Sequence, residues 1–230
     1  MIYGTPTIVT NGLVLYLDPI NTISYTSGSS NIYDLSITKT SSSWVSGIPQ
    51  LTNGYLNISS SSNYLRSVPN ISMSAFPQQS CSISMWVNAS YGLEPGAGGK
   101  SYMDGYDTVR NHIFMRSLIN QNQFVAQTSN AGGQYNTSYN DTTAQPNTWY
   151  NYVITYGVGK NFRVYRNGNL LANNTVLSSS WTPTEQYVGY GQIGATMSGS
   201  YGPLVIYNRD ISQQEVIQNY NALKSRFNLT

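Results

Sequence analysis

The sequence predicts an all-β fold in which two antiparallel sheets form a sandwich and one amphipathic helix ends the chain. Many short segments are rich in apolar and aromatic residues, and Gly, Pro and Asn separate them. No strand–helix alternation of the kind that builds a parallel sheet is visible. A strong helical period occurs only near the C-terminus. We expect residues 1–230 to form a single domain, with the helix at about residues 212–227.

The predicted strands show alternation or a high content of β-branched and aromatic residues. In residues 81–87, Cys, Ile, Met and Val alternate with serines, and Trp86 lies on the second face. Asn167 and Gly168 separate two strand-like runs, which is the strongest short-range signal of a hairpin. The predicted strands cover residues 12–18, 81–87, 112–119, 123–128, 149–156, 162–176 (as a hairpin) and 203–208.

Serine clusters and two long polar stretches interrupt these strands. The clusters at 27–30, 41–43 and 59–62 are short and close to aromatic residues, so we predict loops rather than disordered linkers. Residues 90–111 and 129–148 break the strand rhythm and are predicted to be long loops. Long loops on a rigid sandwich are where binding usually resides, with simple surface decoration as the alternative.

The C-terminal helix has clear start signals. Ser212 followed by Glu215 matches a capping box, and Ile211 and Val216 occupy the positions of a hydrophobic staple. An amphipathic helix must bury its apolar stripe, so we predict that this helix pins the C-terminus to the sandwich. A helix that binds a partner is the alternative. The predicted stripe consists of Val216, Ile217, Tyr220, Leu223 and Phe227.

Composition argues against several classes of function. Only 9% of the residues are charged and the net charge is +2, without a basic stripe, so nucleic acid is not an expected partner. No apolar run approaches the roughly 18 to 20 residues of a membrane span, and no secretory signal is visible. Cys81 is the only cysteine, which leaves no intrachain disulfide and predicts a buried, inert thiol.

Several ordered motifs resemble one family. The segments "CSISMWVN", "NTWYNYVITYGVGKNFRVYRNGNLL" and "IYNRDISQQEVIQNYNALKSRF" are similar to the concanavalin A-like lectin/glucanase superfamily, and more narrowly to laminin-G-like jelly-roll modules of phage and bacterial surface proteins. The resemblance covers residues 12–228. It implies a jelly-roll sandwich and mostly non-catalytic roles in adhesion or glycan recognition. The matching positions are Trp86, Trp149, Tyr150, Tyr165 to Gly168, and Ile206 to Glu215.

Catalysis is not expected. Glycoside hydrolysis requires two carboxylates about 5 to 10 Å apart, and the glucanase branch of the superfamily carries them as Glu-x-Asp-x-x-Glu on one strand. The three glutamates here, Glu94, Glu185 and Glu215, do not form that pattern. His112 is the only histidine, and no Gly-x-Ser-x-Gly motif accompanies it.

Aromatic residues in the predicted loops are the candidates for ligand binding. Sugar rings stack on aromatic faces, while Asn, Gln and Asp side chains bond their hydroxyls. The alternative is that these rings pack the loops or contact neighbouring subunits. The candidates are Tyr91, Tyr102, Tyr106, Tyr135, Tyr139, Trp181 and Tyr187.

Calcium is a further expectation, because many relatives of this kind bind it at the rim of the sandwich. Calcium prefers carboxylate, amide and carbonyl oxygens. The candidate ligands in the two long stretches are Asp104, Asp107, Asn140 and Asp141.

These observations favour a virion structural module, either a head decoration or a tail or fibre domain, that folds in the host cytoplasm and acts outside the cell. The expected partners are other virion proteins, further copies of the chain in a homo-oligomer, and host-surface glycans. A neutral surface of amides, hydroxyls and aromatics suits weak adhesion multiplied by many copies. The alternatives are a structural capsid or tail protein without a ligand, and a carbohydrate-binding module at a bacterial cell surface.

Overall fold

The computed structural model describes most of the predicted strands and the whole C-terminus. The described residues are 7–37, 41–44, 50–52, 55–58, 65–67, 71–72, 80–89, 100–106, 112–118, 121–129, 135–157, 161–175, 188–193 and 199–230. Within them the chain forms 17 β-strands, an α-helix and a 3₁₀ helix. No helix in these ranges is long and apolar enough to cross a membrane.

The strands form two sheets, and all strand pairs within them are antiparallel. Sheet 1 has the order β15-β14-β13-β8-β17-β5-β4, and β1 also pairs with β17. Its strands are β1 Leu13–Leu17, β4 Gln50–Thr52, β5 Tyr55–Ile58, β8 Ser80–Ala89, β13 Trp149–Gly157, β14 Asn161–Arg166, β15 Asn169–Thr175 and β17 Gly199–Tyr207.

Sheet 2 has the order β12-β11-β10-β9-β16-β6-β3-β2, and β7 also pairs with β16. The two sheets confirm the predicted all-β, antiparallel jelly-roll sandwich. The strands of sheet 2 are β2 Asn31–Tyr33, β3 Ser41–Trp44, β6 Leu65–Ser67, β7 Ile71–Ser72, β9 Lys100–Tyr106, β10 His112–Leu118, β11 Gln121–Ser129, β12 Tyr135–Asp141 and β16 Val188–Ile193.

The main core fills the inner face of sheet 1. The alternation predicted for residues 81–87 is confirmed, because Cys81, Ile83, Met85 and Val87 are all buried in this core. Ile32 of β2 and Tyr139 of β12 contribute to it from sheet 2. Burial raises the pKa of the Cys81 thiol to about 12, so the thiol stays protonated and inert near neutral pH. This confirms the prediction for the lone cysteine.

The helix begins as the capping box predicts. Helix α1 spans Gln213–Leu223 and is followed by the 3₁₀ helix Lys224–Phe227. The Glu215 N–H donates to Ser212 Oγ at 3.3 Å, and the Ser212 N–H donates to Glu215 Oε2 at 2.8 Å. We call α1 and the 3₁₀ helix together the C-terminal clasp.

The buried stripe of the clasp differs from the prediction at one position. Val216, Leu223 and Phe227 are buried as predicted, but Ile217 is 39% exposed. Asn219 is buried instead, and its amide bridges two parts of the chain. Asn219 Oδ1 accepts the N–H of Val9 at 2.8 Å, and Nδ2 donates to Tyr207 Oη at 3.0 Å. The helix therefore also holds the N-terminal segment on the outer face of sheet 1.

An aromatic cluster attaches the clasp to sheet 1. The rings of Trp86 and Phe227 stack with centroids 4.0 Å apart and planes 9° apart. Trp149 contacts the same Phe227 ring with centroids 4.6 Å apart. A Cβ atom at Gly202 would lie 2.7 Å from the Phe227 ring, so only glycine allows this close approach. The clasp is thus pinned to the sandwich, as predicted.

An ion pair holds the end of the clasp. Arg226 Nη1 lies 2.6 Å from Asp18 Oδ2, and the Asp18 side chain is fully buried. Because a buried carboxylate needs compensation, this pair ties the clasp to the end of β1. Tyr16 Oη donates to the same Asp18 oxygen at 2.9 Å.

Some loop predictions are corrected by the structure. Residues 41–43 belong to strand β3 rather than to a loop, and the long stretches 90–111 and 129–148 contain β9 and β12. Residues 27–30 lie in a loop as predicted, whereas 59–62 lie outside the described residues.

Replacing the stacked ring should weaken the fold markedly. Phe227→Ala removes a buried ring from the aromatic cluster, and we expect the free energy of unfolding to fall by about 3 to 5 kcal/mol. Ile217→Ala, on the exposed side of the same helix, should change it by about 0.5 kcal/mol or less. Urea unfolding followed by circular dichroism measures both. Equal effects of the two substitutions would contradict the proposed packing of the clasp.

Candidate functional site

The predicted aromatic ligand residues lie on strands where the structure describes them. Tyr102 and Tyr106 are on β9, and Tyr135 and Tyr139 are on β12, which is separated from β9 by the two strands β10 and β11. Tyr139 is partly buried against the core between the sheets, so it packs the sandwich instead of standing in a loop. Three further candidates, Tyr91, Trp181 and Tyr187, lie outside the described residues.

The predicted calcium ligands are not brought together. Asp104 is on β9 and Asp141 on β12, so the two intervening strands keep their backbones at least about 14 Å apart. Calcium binds oxygens at about 2.3 to 2.6 Å, and the two residues therefore do not share one ion. Asn140 is exposed on β12, whereas Asp107 lies outside the described residues. Within the described part of the chain, no three His, Cys, Asp or Glu residues form a group that could hold a metal. A calcium site that includes Asp107 stays a prediction.

The Asp141 carboxylate has a structural role instead. It is 1% exposed and accepts four hydrogen bonds. Oδ1 accepts from the N–H and hydroxyl of Thr143 at 3.0 and 2.7 Å, and Oδ2 accepts from Tyr152 Oη at 3.0 Å and Arg166 Nη1 at 2.7 Å. Arg166 also lies over the Tyr150 ring, 5.1 Å from its centroid. The carboxylate thereby fastens the segment after β12 to sheet 1.

A groove lies on the outer side of sheet 1, and all the residues that line it belong to the described part of the chain. We call it the hairpin–helix groove, because the β14–β15 hairpin forms one side and the segment leading into α1 forms the other. Its volume is about 550 Å³. The lining residues are Arg163, Tyr165, Leu170, Asn173, Arg209, Asp210, Ile211, Ser212, Gln213 and Glu215.

Local sequence explains how the hairpin side of the groove is shaped. Asn167 and Gly168 have φ angles of +51° and +80°, the left-handed conformation that the Asn-Gly pair tolerates best. This confirms the predicted hairpin. A Cβ atom at Gly168 would lie 3.5 Å from the Tyr220 ring, so the turn rests against α1. The clasp therefore determines how far apart the two sides of the groove stand.

One ion pair fixes the helix side of the groove. Arg209 donates to both Glu215 oxygens, at 2.9 and 2.6 Å, and its Nε donates to the Asn11 carbonyl at 2.9 Å. The hydrogen bonds from Arg209, and further those from Ser212, lower the pKa of Glu215 to about 2. This pair reinforces the capping box and leaves few donors for a ligand.

A second pair in the groove is looser. Arg163 uses one nitrogen, Nη1, to reach both Asp210 oxygens at 3.2 Å. The side chains of Arg163 and Asp210 are 28% and 14% exposed. The charges of the two arginines and the two carboxylates cancel, so the groove has no net charge despite its many polar groups.

The rim of the groove supplies apolar and amide groups. Leu170 is 41% exposed near the start of β15, and Asn173 is exposed three residues further along the same strand. Ser212 and Gln213 are exposed on the opposite side. Such a site can offer several hydrogen bonds and one apolar contact to an uncharged polar ligand.

The groove residues were not among the predicted ligand residues. The sequence did show features on each side of the groove. Arg209 and Glu215 lie in the C-terminal motif, and the β14–β15 hairpin was predicted. Their proximity depends on how the clasp packs, which involves contacts between residues far apart in the sequence.

The fold and the groove define the class of protein, a lectin-type antiparallel sandwich with a polar surface site. The chain belongs to the concanavalin A-like lectin/glucanase superfamily, because a laminin-G family model of that superfamily matches residues 52–217. This confirms the family resemblance found in the sequence. No curated protein sequence matches the chain significantly.

Solved structures share the fold at low sequence identity. The receptor binding domain of botulinum neurotoxin C/D mosaic serotype superposes with a TM-score of 0.71 at 15% identity, covering 92% of this chain and 51% of that one. The botulinum neurotoxin serotype D ligand binding domain in complex with N-acetylneuraminic acid superposes with a TM-score of 0.68 at 13% identity, covering 92% of this chain and 51% of that one. Trypanosoma rangeli sialidase in complex with sialic acid superposes with a TM-score of 0.66 at 15% identity, covering 93% of this chain and 33% of that one. The chain thus spans about half the length of the toxin domains and a third of the sialidase.

The low pKa of Glu215 predicts a pH-dependent contribution to stability. Because the folded-state pKa of about 2 lies below the ordinary value of 4.5, ionised Glu215 stabilises the fold above pH 4.5, and this stabilisation is lost as the pH falls towards 2. Glu215→Gln removes the charge. We expect the stability difference between wild type and variant to shrink between pH 4.5 and 2.5, measured as urea midpoints. Ile217→Ala is the control without a titrating group. If the difference in urea midpoint between wild type and Glu215→Gln stayed constant with pH, the proposed role of the ion pair would be refuted.

Proposed function

We propose that the protein is a non-catalytic glycan-recognition module of a virus particle, carried as a head decoration or as part of a tail or fibre. The observation that carries this proposal is the hairpin–helix groove, which is polar, uncharged overall and edged by an exposed leucine. Sugars present hydroxyls that both donate and accept hydrogen bonds, together with a less polar C–H face. The groove offers complementary groups for both.

The state of the carboxylates supports a non-catalytic role. Glycoside hydrolysis uses a protonated carboxylic acid with a raised pKa beside a second carboxylate. Among the acidic side chains that the structure describes, each is already engaged by an arginine or by several hydrogen-bond donors. These side chains are Asp18, Asp34, Asp141, Asp210 and Glu215.

The structural neighbours support a sugar as the class of ligand. The serotype D toxin domain and the sialidase were solved with N-acetylneuraminic acid or sialic acid. Since this fold forms only about half or a third of those chains, they support glycan binding without indicating where on the sandwich a sugar would sit.

Composition supports the virion part of the proposal. A chain with 9% charged residues and a single cysteine needs no oxidising compartment to fold, which suits assembly in a host cytoplasm. Many copies on one particle would turn weak single-site binding into firm attachment.

A specific observation favours a second candidate, a structural protein that reinforces a capsid or tail. Three large apolar side chains are strongly exposed near β2, the edge strand of sheet 2. They are Ile23 at 77%, Tyr33 at 52% and Ile37 at 91% exposure. Exposed apolar groups beside a sheet edge suit contact with another protein.

A glycan array with the full chain, run with and without calcium, tests the recognition role. We expect binding to at least one glycan, and Leu170→Ser should weaken it about fivefold through loss of about 1 kcal/mol of apolar contact. Ile23→Ser, an exposed apolar residue outside the groove, is the matched control and should leave binding unchanged. The absence of binding to every glycan under both conditions would reject the proposal.

The location of the protein tests the virion role. Mass spectrometry of purified particles, with immunogold labelling, should detect many copies at the particle surface. Detection on the bacterial surface but never on particles would instead support the bacterial carbohydrate-binding alternative.

A further inference from the structure

The Arg163–Asp210 pair differs from the other ion pair of the groove. Arg209 and Glu215 form two short bonds, at 2.9 and 2.6 Å, with two nitrogens on two oxygens. Arg163 instead reaches both Asp210 oxygens from one nitrogen at 3.2 Å. Long bonds that converge on one nitrogen are weaker than a parallel pair of short ones. The Arg163–Asp210 pair can therefore yield part of its bonding to a ligand at low cost.

Polar residues surround Arg163 on the same face of sheet 1. In the antiparallel register, Arg163 pairs with Thr155 of β13 and with Asn173 of β15. Residues paired in this way project from the same face. The exposed Asn173 amide thus lies beside Arg163, and Leu170 of the same strand lies near the open side of the groove.

An adjacent cation and anion match a pair of neighbouring hydroxyls. One hydroxyl oxygen of a vicinal diol can accept from the Arg163 guanidinium while the next hydroxyl donates to the Asp210 carboxylate. Both are charge-assisted hydrogen bonds, which are stronger than neutral ones. The C–H face of the same ring can then contact Leu170.

The same part of the groove disfavours the binding of an acidic sugar. A carboxylate near Arg163 also faces Asp210, and Glu215 lies in the same groove with its charge maintained by Arg209. Like charges at this range disfavour binding, and the groove has no surplus positive charge to offset them.

We infer that the hairpin–helix groove binds a neutral hexose through a vicinal diol held between Arg163 and Asp210, and that Asp210 excludes acidic sugars. This inference rests on the proposed glycan-recognition function and specifies its ligand class. It sets the protein apart from the neighbours that were solved with sialic acid.

Matched sugars test the inference directly. The methyl glycosides of glucose, galactose and mannose differ from those of the corresponding uronic acids only at C6, where a hydroxymethyl group is replaced by a carboxylate. The full-length protein is titrated with each of the six and followed by NMR through amide shifts in residues 163–173 and 209–215. We expect at least one neutral hexoside to bind, and its uronic acid to bind about tenfold more weakly or not at all.

The Asp210→Asn variant should change the affinities for the two kinds of sugar in opposite directions. Binding of the neutral hexoside should weaken about tenfold, because a charged acceptor is lost. Binding of the uronic acid should become tighter, because the repulsion between two carboxylates is removed. Asn57→Lys on β5, four strands from β14, changes the net charge by the same amount and should leave both affinities unchanged.

Three results would overturn the inference. The first is that a uronic acid glycoside binds the wild-type protein as tightly as the matching neutral hexoside. The second is that Asp210→Asn leaves the ratio of the affinities for the neutral hexoside and the uronic acid unchanged. The third is that the groove resonances respond to none of the six sugars. If the array still shows glycan binding in any of these cases, only the inference fails. If the array also shows none, the proposed function fails with it.

Discussion

The stacking of Phe227 on Trp86 is the contact on which much of this structure depends. It joins the last residues of the chain to a central strand of sheet 1 with ring centroids 4.0 Å apart. Gly202 makes room for the ring, and the ion pair between Arg226 and the buried Asp18 carboxylate holds the same end. Because the far end of the clasp is fixed here, its N-terminal end is fixed too, and with it the wall of the hairpin–helix groove. The shape of the hairpin–helix groove is therefore a consequence of how the tail packs.

The sparse charges of the chain are used mainly for structure. Asp18, Asp141 and Glu215 each hold an arginine at 2.6 to 2.7 Å, and each pair joins segments that are distant in sequence or secures the helix start. Buried or half-buried pairs of this kind are costly to break because one partner would remain uncompensated. Arg163–Asp210 is the loosest of the described pairs, and it lies in the groove. This contrast is why we assign recognition to that pair.

Local signals in the sequence predicted the local features well. The capping box at Ser212, the hairpin at Asn167-Gly168 and the alternating strand at residues 81–87 each depend on neighbours within a few positions, and all three are confirmed. Strands β3, β9 and β12 were predicted as loops, because their serines, glycines and polar residues hide the strand pattern. Pairing with neighbouring strands decides their structure, and pairing cannot be read from one segment.

The candidate site was less predictable for the same reason. Asp141 looked like a loop ligand for calcium, but Arg166, 25 positions away, and Tyr152 occupy its oxygens. Tyr139 looked like a loop aromatic but packs against the core. The hairpin–helix groove joins β14 and β15 to residues 209–215 through contacts across sheet 1. Composition suggested uncharged recognition chemistry, which stays a prediction, and it did not indicate where on the sandwich such chemistry would lie.

A crystal structure of the full chain with a bound neutral hexoside would show the packing of the tail and the position of the sugar together. We expect the clasp on sheet 1 with Phe227 against Trp86, and the sugar in the groove with two adjacent hydroxyls on Arg163 and Asp210. A sugar bound at the edge of sheet 2, or a tail helix lying away from sheet 1, would contradict this expectation.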